Sequence, residues 1–134
     1  MPGPDFSLVF PPDPVWVRSA REAVRALLRS ARRDDLTDTA LLLTSEAVTN
    51  AVNACHVSGC SIPVTLSAEW TTADAAETTL RVLVHDSAPG MPAGRAAEGG
   101  DESGRGLALI GDCATDWGVR ATDTGPGKSV WFTL

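Results

Sequence analysis

The spacing of apolar residues changes several times along the chain, and each change marks an element. Phe6 to Phe10, FSLVF, reads as a short strand, which PPDP ends because proline fixes the backbone and removes a donor. From Val15 to about Ala31, the residues Val17, Ala20, Val24, Leu27 and Leu28 recur at helical spacing. Arg18, Arg21, Arg25, Arg29 and Arg32 fall on the other side. A solvated face explains that stripe, and a contact surface for an acidic partner is the alternative. Asp34 or Asp35 can cap a second helix, with Asp38 near its positive end. That helix, LTDTALLLTSEAVTNAVNACH, runs to about His56 and is apolar almost all round, which predicts burial on most sides. Glu46, Asn50 and Asn53 nevertheless share one narrow stripe, through spacings of four and three, flanked by Leu42, Leu43 and Thr49. Burying a carboxylate and two amides is costly unless other protein groups or a polar ligand meet them.

After a break at Gly59, Ile62 to Trp70 alternates like a half-buried strand. TTADAAE reads as a polar turn, and TLRVLVHD as a second strand that ends in Asp86 before SAPGMP. A third helix opens at Gly104, in GRGLALI, and ends near Cys113. Asp116 to Arg120 and Lys128 to Leu134 read as the last two strands, joined by the turn ATDTGPG. The order β-α-α-β-β-loop-α-β-β predicts an α+β two-layer sandwich. Its helices lie on one face of a mixed, mostly antiparallel sheet.

Composition narrows the classes. The 134 residues suit a single domain spanning 1–134. Lys and Arg total 11 against 17 Asp and Glu, a formal net charge of −6. That argues against non-specific nucleic-acid binding and against an anionic membrane surface. No apolar run is long enough to span a bilayer, and MPGPDFSLVF lacks the basic and apolar regions of a signal peptide. The three cysteines form no CxxC, which points to the reducing cytoplasm. Cys55 and Cys60 read as a packed thiol or two near a helix end, with a metal site of Cys55, His56 and Cys60 the weaker alternative. Twelve glycines are present, ten of them between Gly90 and Gly127. Such density implies a backbone that moves or approaches something closely.

Three phosphate-binding patterns compete for those glycines. GRGLALIG has Leu109 where a dinucleotide fingerprint needs its third glycine, and no strand precedes it. GPGKS is followed by a strand where a P-loop demands a helix, and Thr122 stands at the position of its first glycine. The third pattern joins distant pieces. Gly104-x-Gly106 at a helix start offers free N–H groups to an anion. Asp86 can accept from the exocyclic amine of a base, and the amide oxygen of Asn50 can ligate Mg²⁺. Together they describe a purine nucleotide with Mg²⁺, held without a P-loop.

Four boxes in order carry a resemblance to a known family: SEAVTNAV (Ser45 to Val52), HDSAPG (His85 to Gly90), ESGRGLALI (Glu102 to Ile110) and GKSVWF (Gly127 to Phe132). The chain resembles the histidine-kinase-like ATPases, also called GHKL or Bergerat-fold ATPases, from about Phe6 to Leu134. The branch it looks most like is that of the small anti-sigma-factor serine kinases. The resemblance implies that Asn50 ligates the Mg²⁺ of ATP and that Glu46 is the general base. It implies that Asp86 holds the adenine amino group, that Gly90 lets the backbone pass the base, and that Ser129 supports the Asp86 contact. A mobile lid would run from about Pro92 to Ser103, with Gly94, Gly99 and Gly100 giving it freedom. Gly104 and Gly106 would meet the phosphates, and Arg105 would stabilise transferred charge. Asn53, Met91 and Leu107 complete the implied nucleotide-binding set. Gly125 and Gly127 read as an ordinary turn, and Gly111 and Gly118 have no assigned role.

Two departures from the family pattern stand out. Ala88 replaces a glycine common in the wider superfamily, at a cost on the order of 1 kcal/mol if φ there must be positive. The lid is short, and its only basic residue is Arg95. The expected function is an ATP-dependent serine/threonine protein kinase that acts as an anti-sigma factor. It would phosphorylate a STAS-type anti-anti-sigma partner and bind a sigma factor, without touching nucleic acid or membrane itself. The alternative is a catalytically weak nucleotide-binding module that works by partner exchange. The resemblance also suggests a homodimer.

Overall fold

The computed structural model of the protein describes residues 5–74, 77–89, 102–122 and 125–134. The elements follow as β1 (Phe6–Phe10), α1 (Trp16–Ser30), a 3₁₀ turn (Asp34–Leu36) and α2 (Thr37–Ser58). Then come β2 (Val64–Asp74), β3 (Glu77–Asp86), α3 (Glu102–Cys113), β4 (Asp116–Ala121) and β5 (Lys128–Thr133). This is the expected order, and it builds an α+β sandwich.

The five strands lie in the order β1-β2-β3-β5-β4, and every pairing is antiparallel. The expected mixed sheet is corrected on this point among the described residues. The reason is topological. Two helices between β1 and β2 return the chain to the end where β1 stopped. One helix between β3 and β4 makes those two strands run the same way, but β5 inserts between them and opposes both.

Alternation gives the sheet one dry face. Val64, Leu66, Ala68, Leu80, Val82, Val84, Val130 and Phe132 are buried there. They share the core with Ala20, Val24 and Leu28 of α1, Leu43, Ala47 and Ala51 of α2, and Leu107 and Ile110 of α3. On the other face His85, Ser129 and Trp131 are half-buried. There the Trp131 indole lies across its cross-strand partner Gly118, where a Cβ would come 2.8 Å from the indole nitrogen. The Arg81 guanidinium sits 5.1 Å from the Trp131 ring. Gly118 is therefore a packing position for an aromatic lid on the sheet.

Helix ends depart from expectation in three places. Neither Asp34 nor Asp35 caps α2; both belong to the 3₁₀ turn, and Leu36 precedes the helix without a side-chain cap. The Asp35 carboxylate instead accepts two bonds of 3.1 Å from Arg33, which holds its carboxyl below the usual range. Arg32 lies beyond the end of α1, in the left-handed region at φ 57°, so it leaves the arginine stripe. Around it Arg33 N–H donates to Leu28 and Arg32 N–H to Arg29, the bond pair that usually calls for glycine at this position. Gly59 fills the same position after α2 at φ 73°, with Cys60 N–H donating to Cys55 C=O over 2.9 Å.

The hairpin is longer than the sequence suggests. Strand pairing runs through most of TTADAAE, held by a 2.8 Å bond between the Thr71 and Thr79 hydroxyls. Helix α2 is buried on most sides as expected, with no exposed residue from Leu43 to Cys55, although Leu42 is exposed. Among the described residues no helix is long and apolar enough to cross a membrane.

Candidate functional site

Helix α2 packs between α1 and α3 over the sheet and carries the polar stripe along the margin of its buried face. Glu46 and Asn53 are half-buried, while Asn50 is 4% exposed. Neither the amide oxygen nor the amide nitrogen of Asn50 has a hydrogen-bond partner among the described residues. Buried polar groups are almost always paired, so an orphaned amide asks for a ligand. Its oxygen is a hard donor of the type Mg²⁺ prefers. The residues present therefore fit a Mg²⁺-bound phosphate group on this criterion.

The other pole of the site lies where β3 ends and β5 begins. Asp86 and Lys128 are register partners and are 1% and 2% exposed. The Lys128 ammonium donates to Oδ1 at 3.0 Å and lies 2.9 Å from Oδ2. Ala88 N–H donates to the same Oδ1 over 3.0 Å. Ala88 is buried and lies outside the positive-φ region, so the alanine carries no left-handed strain. Lys128 is the only lysine in the chain. Its buried position was open to inference, because Lys128 alternates in phase with Val130 and Phe132. The likeness of GPGKS to a P-loop hides that phase.

Ser129 alternates to the opposite face from Asp86. Its hydroxyl meets His85 Nδ1 at 3.1 Å, so the residue beside the carboxylate is Lys128. Gly127 is more than a turn residue. It adopts φ +118°, and a Cβ there would lie 2.6 Å from the Asp86 carbonyl oxygen. Gly127→Ala is expected to cost about 2–4 kcal/mol, from backbone strain and overpacking together. Urea unfolding midpoints would measure it, and a loss below about 1 kcal/mol would mean that the turn relaxes freely.

Helix α3 begins at Glu102, two residues earlier than expected. Gly104 thus falls within the first turn, where amides lack helical partners, whereas Gly106 falls beyond it. Leu107 is buried in the core. Gly90, Met91, Arg95 and residues 92–101 of the expected lid lie outside the described residues, as does the side chain of Arg105.

Cys55 sits about 7–8 Å along the α2 axis from Asn50, on the side of the Asp86–Lys128 pair. Burial pushes its thiol from 9.0 up to about 11; the Asp86 carboxylate and Cys60 add to the rise, and Lys128 opposes it. The buried neutral thiol favours the fold fully below pH 9. That gain is lost as pH rises through about 11. Unfolding free energies at pH 8 and pH 11 should show the loss in the native sequence and a smaller one in Cys55→Ala. Equal declines would refute it. The His56 ring nitrogen meets the Pro12 carbonyl at 3.0 Å, and no metal-binding group of three forms among the described residues.

The site thus has an orphaned amide on a central helix and a carboxylate at a strand end, and a helix start follows them in the chain. Comparison with curated proteins finds no match. The model of the Histidine kinase-like ATPase domain matches residues 10–134, which takes in all three features. On that match across nearly the whole length, the chain belongs to the histidine kinase-like ATPase family.

Proposed function

We propose that this protein is an ATP-dependent serine/threonine kinase that acts as an anti-sigma factor, phosphorylating a STAS-type anti-anti-sigma partner. Membership of the family supports the coarser part, an ATP-binding regulatory or kinase module. The observation that supports phosphoryl transfer is the α2 stripe, while the anti-sigma and STAS parts rest on the sequence resemblance. Asn50 presents an unpartnered amide, and Glu46, one turn earlier, presents a half-buried carboxylate. Binding alone has no use for a base at that place.

In this reading Asn50 would hold Mg²⁺, which when bound neutralises phosphate charge and orients the terminal phosphoryl group. Glu46 takes the proton from the attacking serine hydroxyl as the serine oxygen bonds to the γ-phosphorus and the bond from that phosphorus to the β,γ-bridging oxygen breaks, releasing ADP. Asp86 accepts from the amino group of the base, and Gly104 offers a free helical amide to phosphate. Gly106, Arg105, Gly90 and Met91 would complete the pocket. The cytoplasm is the compartment this role requires, and a homodimer is the proposed assembly.

The test is transfer of labelled γ-phosphate from ATP to STAS-fold candidates. Serine phosphorylation is the expected result, and its absence across several such partners would remove the kinase assignment. A second reading, nucleotide binding without turnover, rests on the short lid read from the sequence, with Arg95 its only basic residue. Tight nucleotide binding with no transfer would select it. At a hundred times Kd, a ligand should add about 2.7 kcal/mol to the unfolding free energy.

A further inference from the structure

We propose that Cys55 and Cys60 form a reversible oxidation site, which closes to an intramolecular disulfide on reaction with a peroxide. The end of α2 brings the two residues together. Gly59 turns into the left-handed region, Gly59 N–H donates to His56 C=O over 3.4 Å, and Cys60 N–H reaches back to Cys55 C=O over 2.9 Å. This helix-end motif seats the residue after the glycine against a residue of the last helical turn, usually as an apolar contact. Here both positions are cysteine. Cys55 lies in the core at 0% exposure, and Cys60 packs against that core while only partly buried. The Cys60 thiol is near enough to disfavour the Cys55 thiolate, by charge and by a side-chain contact. A disulfide asks for close backbones and side chains that meet, and this turn provides both.

Unequal burial divides the chemistry between the two sulfurs. Peroxide meets the partly exposed Cys60, which has exposed residues on both sides in the chain, and does not reach Cys55. The Cys60 thiolate attacks one peroxide oxygen, the O–O bond breaks, and the departing oxygen takes up a proton. Cys60 is oxidised by two electrons to a sulfenic acid, and the peroxide is reduced to water or an alcohol. Cys55 then attacks the Cys60 sulfur. The S–S bond forms, the S–O bond breaks, and the hydroxyl leaves as water with the Cys55 proton. A dithiol reverses the change by exchange at the exposed sulfur. The second thiol also protects the first, because a sulfenic acid captured as a disulfide escapes irreversible oxidation. Cys55 follows Asn50 by about one and a half turns of α2 and feels the charges of Asp86 and Lys128, so the bond forms beside the candidate site. The site itself stands apart from the nucleotide reading.

The experiment uses Cys113→Ser, which removes the exposed third thiol. The folded protein is treated with millimolar hydrogen peroxide, unfolded in denaturant with iodoacetamide, and weighed by mass spectrometry. It should lose about 2 Da, the two thiol hydrogens, and take up no alkyl group. Dithiothreitol should restore two thiols that alkylate. With Cys55→Ser added and dimedone present, Cys60 should be trapped as its sulfenic acid, and no adduct there overturns the order of attack. A sulfinic or sulfonic acid at Cys60 with Cys55 still alkylated overturns the proposal. Two unreacted thiols, or a disulfide between two molecules, overturn it as well. Peptide mapping of the oxidised native sequence locates the bond without any variant, so the outcome is decided even where a variant fails to fold.

Discussion

Lys128→Met should lower the unfolding free energy by about 3–5 kcal/mol. The substitution keeps the length and apolar body of the side chain but removes the ammonium that meets both Asp86 oxygens. The carboxylate, 1% exposed, is then left with the Ala88 amide as its one described donor. A buried charge without its partner costs far more than the pair itself contributes, because desolvation is no longer offset. Adding Asp86→Asn should recover part of the loss, since an amide oxygen can still accept from Ala88 without carrying charge. A double-mutant cycle on urea unfolding should give a coupling of about 1–3 kcal/mol. A single-variant loss below about 1 kcal/mol would show that water reaches the carboxylate in solution. The chain has one lysine, so amine labelling offers an independent check. Beyond the terminal amine, the folded protein should resist modification until it unfolds.

Glu46→Gln should reduce phosphoryl transfer by about 10²–10⁴-fold, the usual worth of a positioned general base. Nucleotide affinity should change by less than about threefold, because glutamine keeps the shape and the position on α2 remains half-buried. The pH–rate profile adds a readout that packing cannot mimic: the limb due to the carboxylate should vanish in the variant. Undiminished transfer would remove Glu46 from the role of base. A variant that loses binding as well would assign the carboxylate to holding the ligand instead.

Much of this fold is legible in the sequence, for identifiable reasons. Helix α1 repeats its apolar contacts over four turns, so its bounds of Trp16–Ser30 fall within one residue of the periodic stretch. The strands are legible through alternation, and Gly59 through its place after the last helical turn. The ends of α2 and α3 are less so. Two aspartates suggest a cap, but a guanidinium two residues before Asp35 competes for it and wins by charge. The stripe of Glu46, Asn50 and Asn53 is legible by spacing, yet only Asn50 is buried, because the stripe runs along a margin. Lys128 escapes a sequence reading for a different reason. A lysine beside glycines invites a phosphate role, and that likeness hides the inward phase it shares with Val130 and Phe132 on β5. The aromatic cover over Gly118 likewise depends on a cross-strand register that composition does not contain.

The insertion of β5 between β3 and β4 also sets an order of events during synthesis. The first four strands are made before residue 128 leaves the ribosome, and β3 meanwhile carries an open edge beside a carboxylate with no cation. Exposed edges of this kind recruit other chains when they persist. Arrival of β5 closes the gap, unites two strands that run in the same direction, and delivers the ammonium to Asp86 in one step. Completion of the sheet and completion of the site are thus the same event, and a nascent chain that stalls before it has neither.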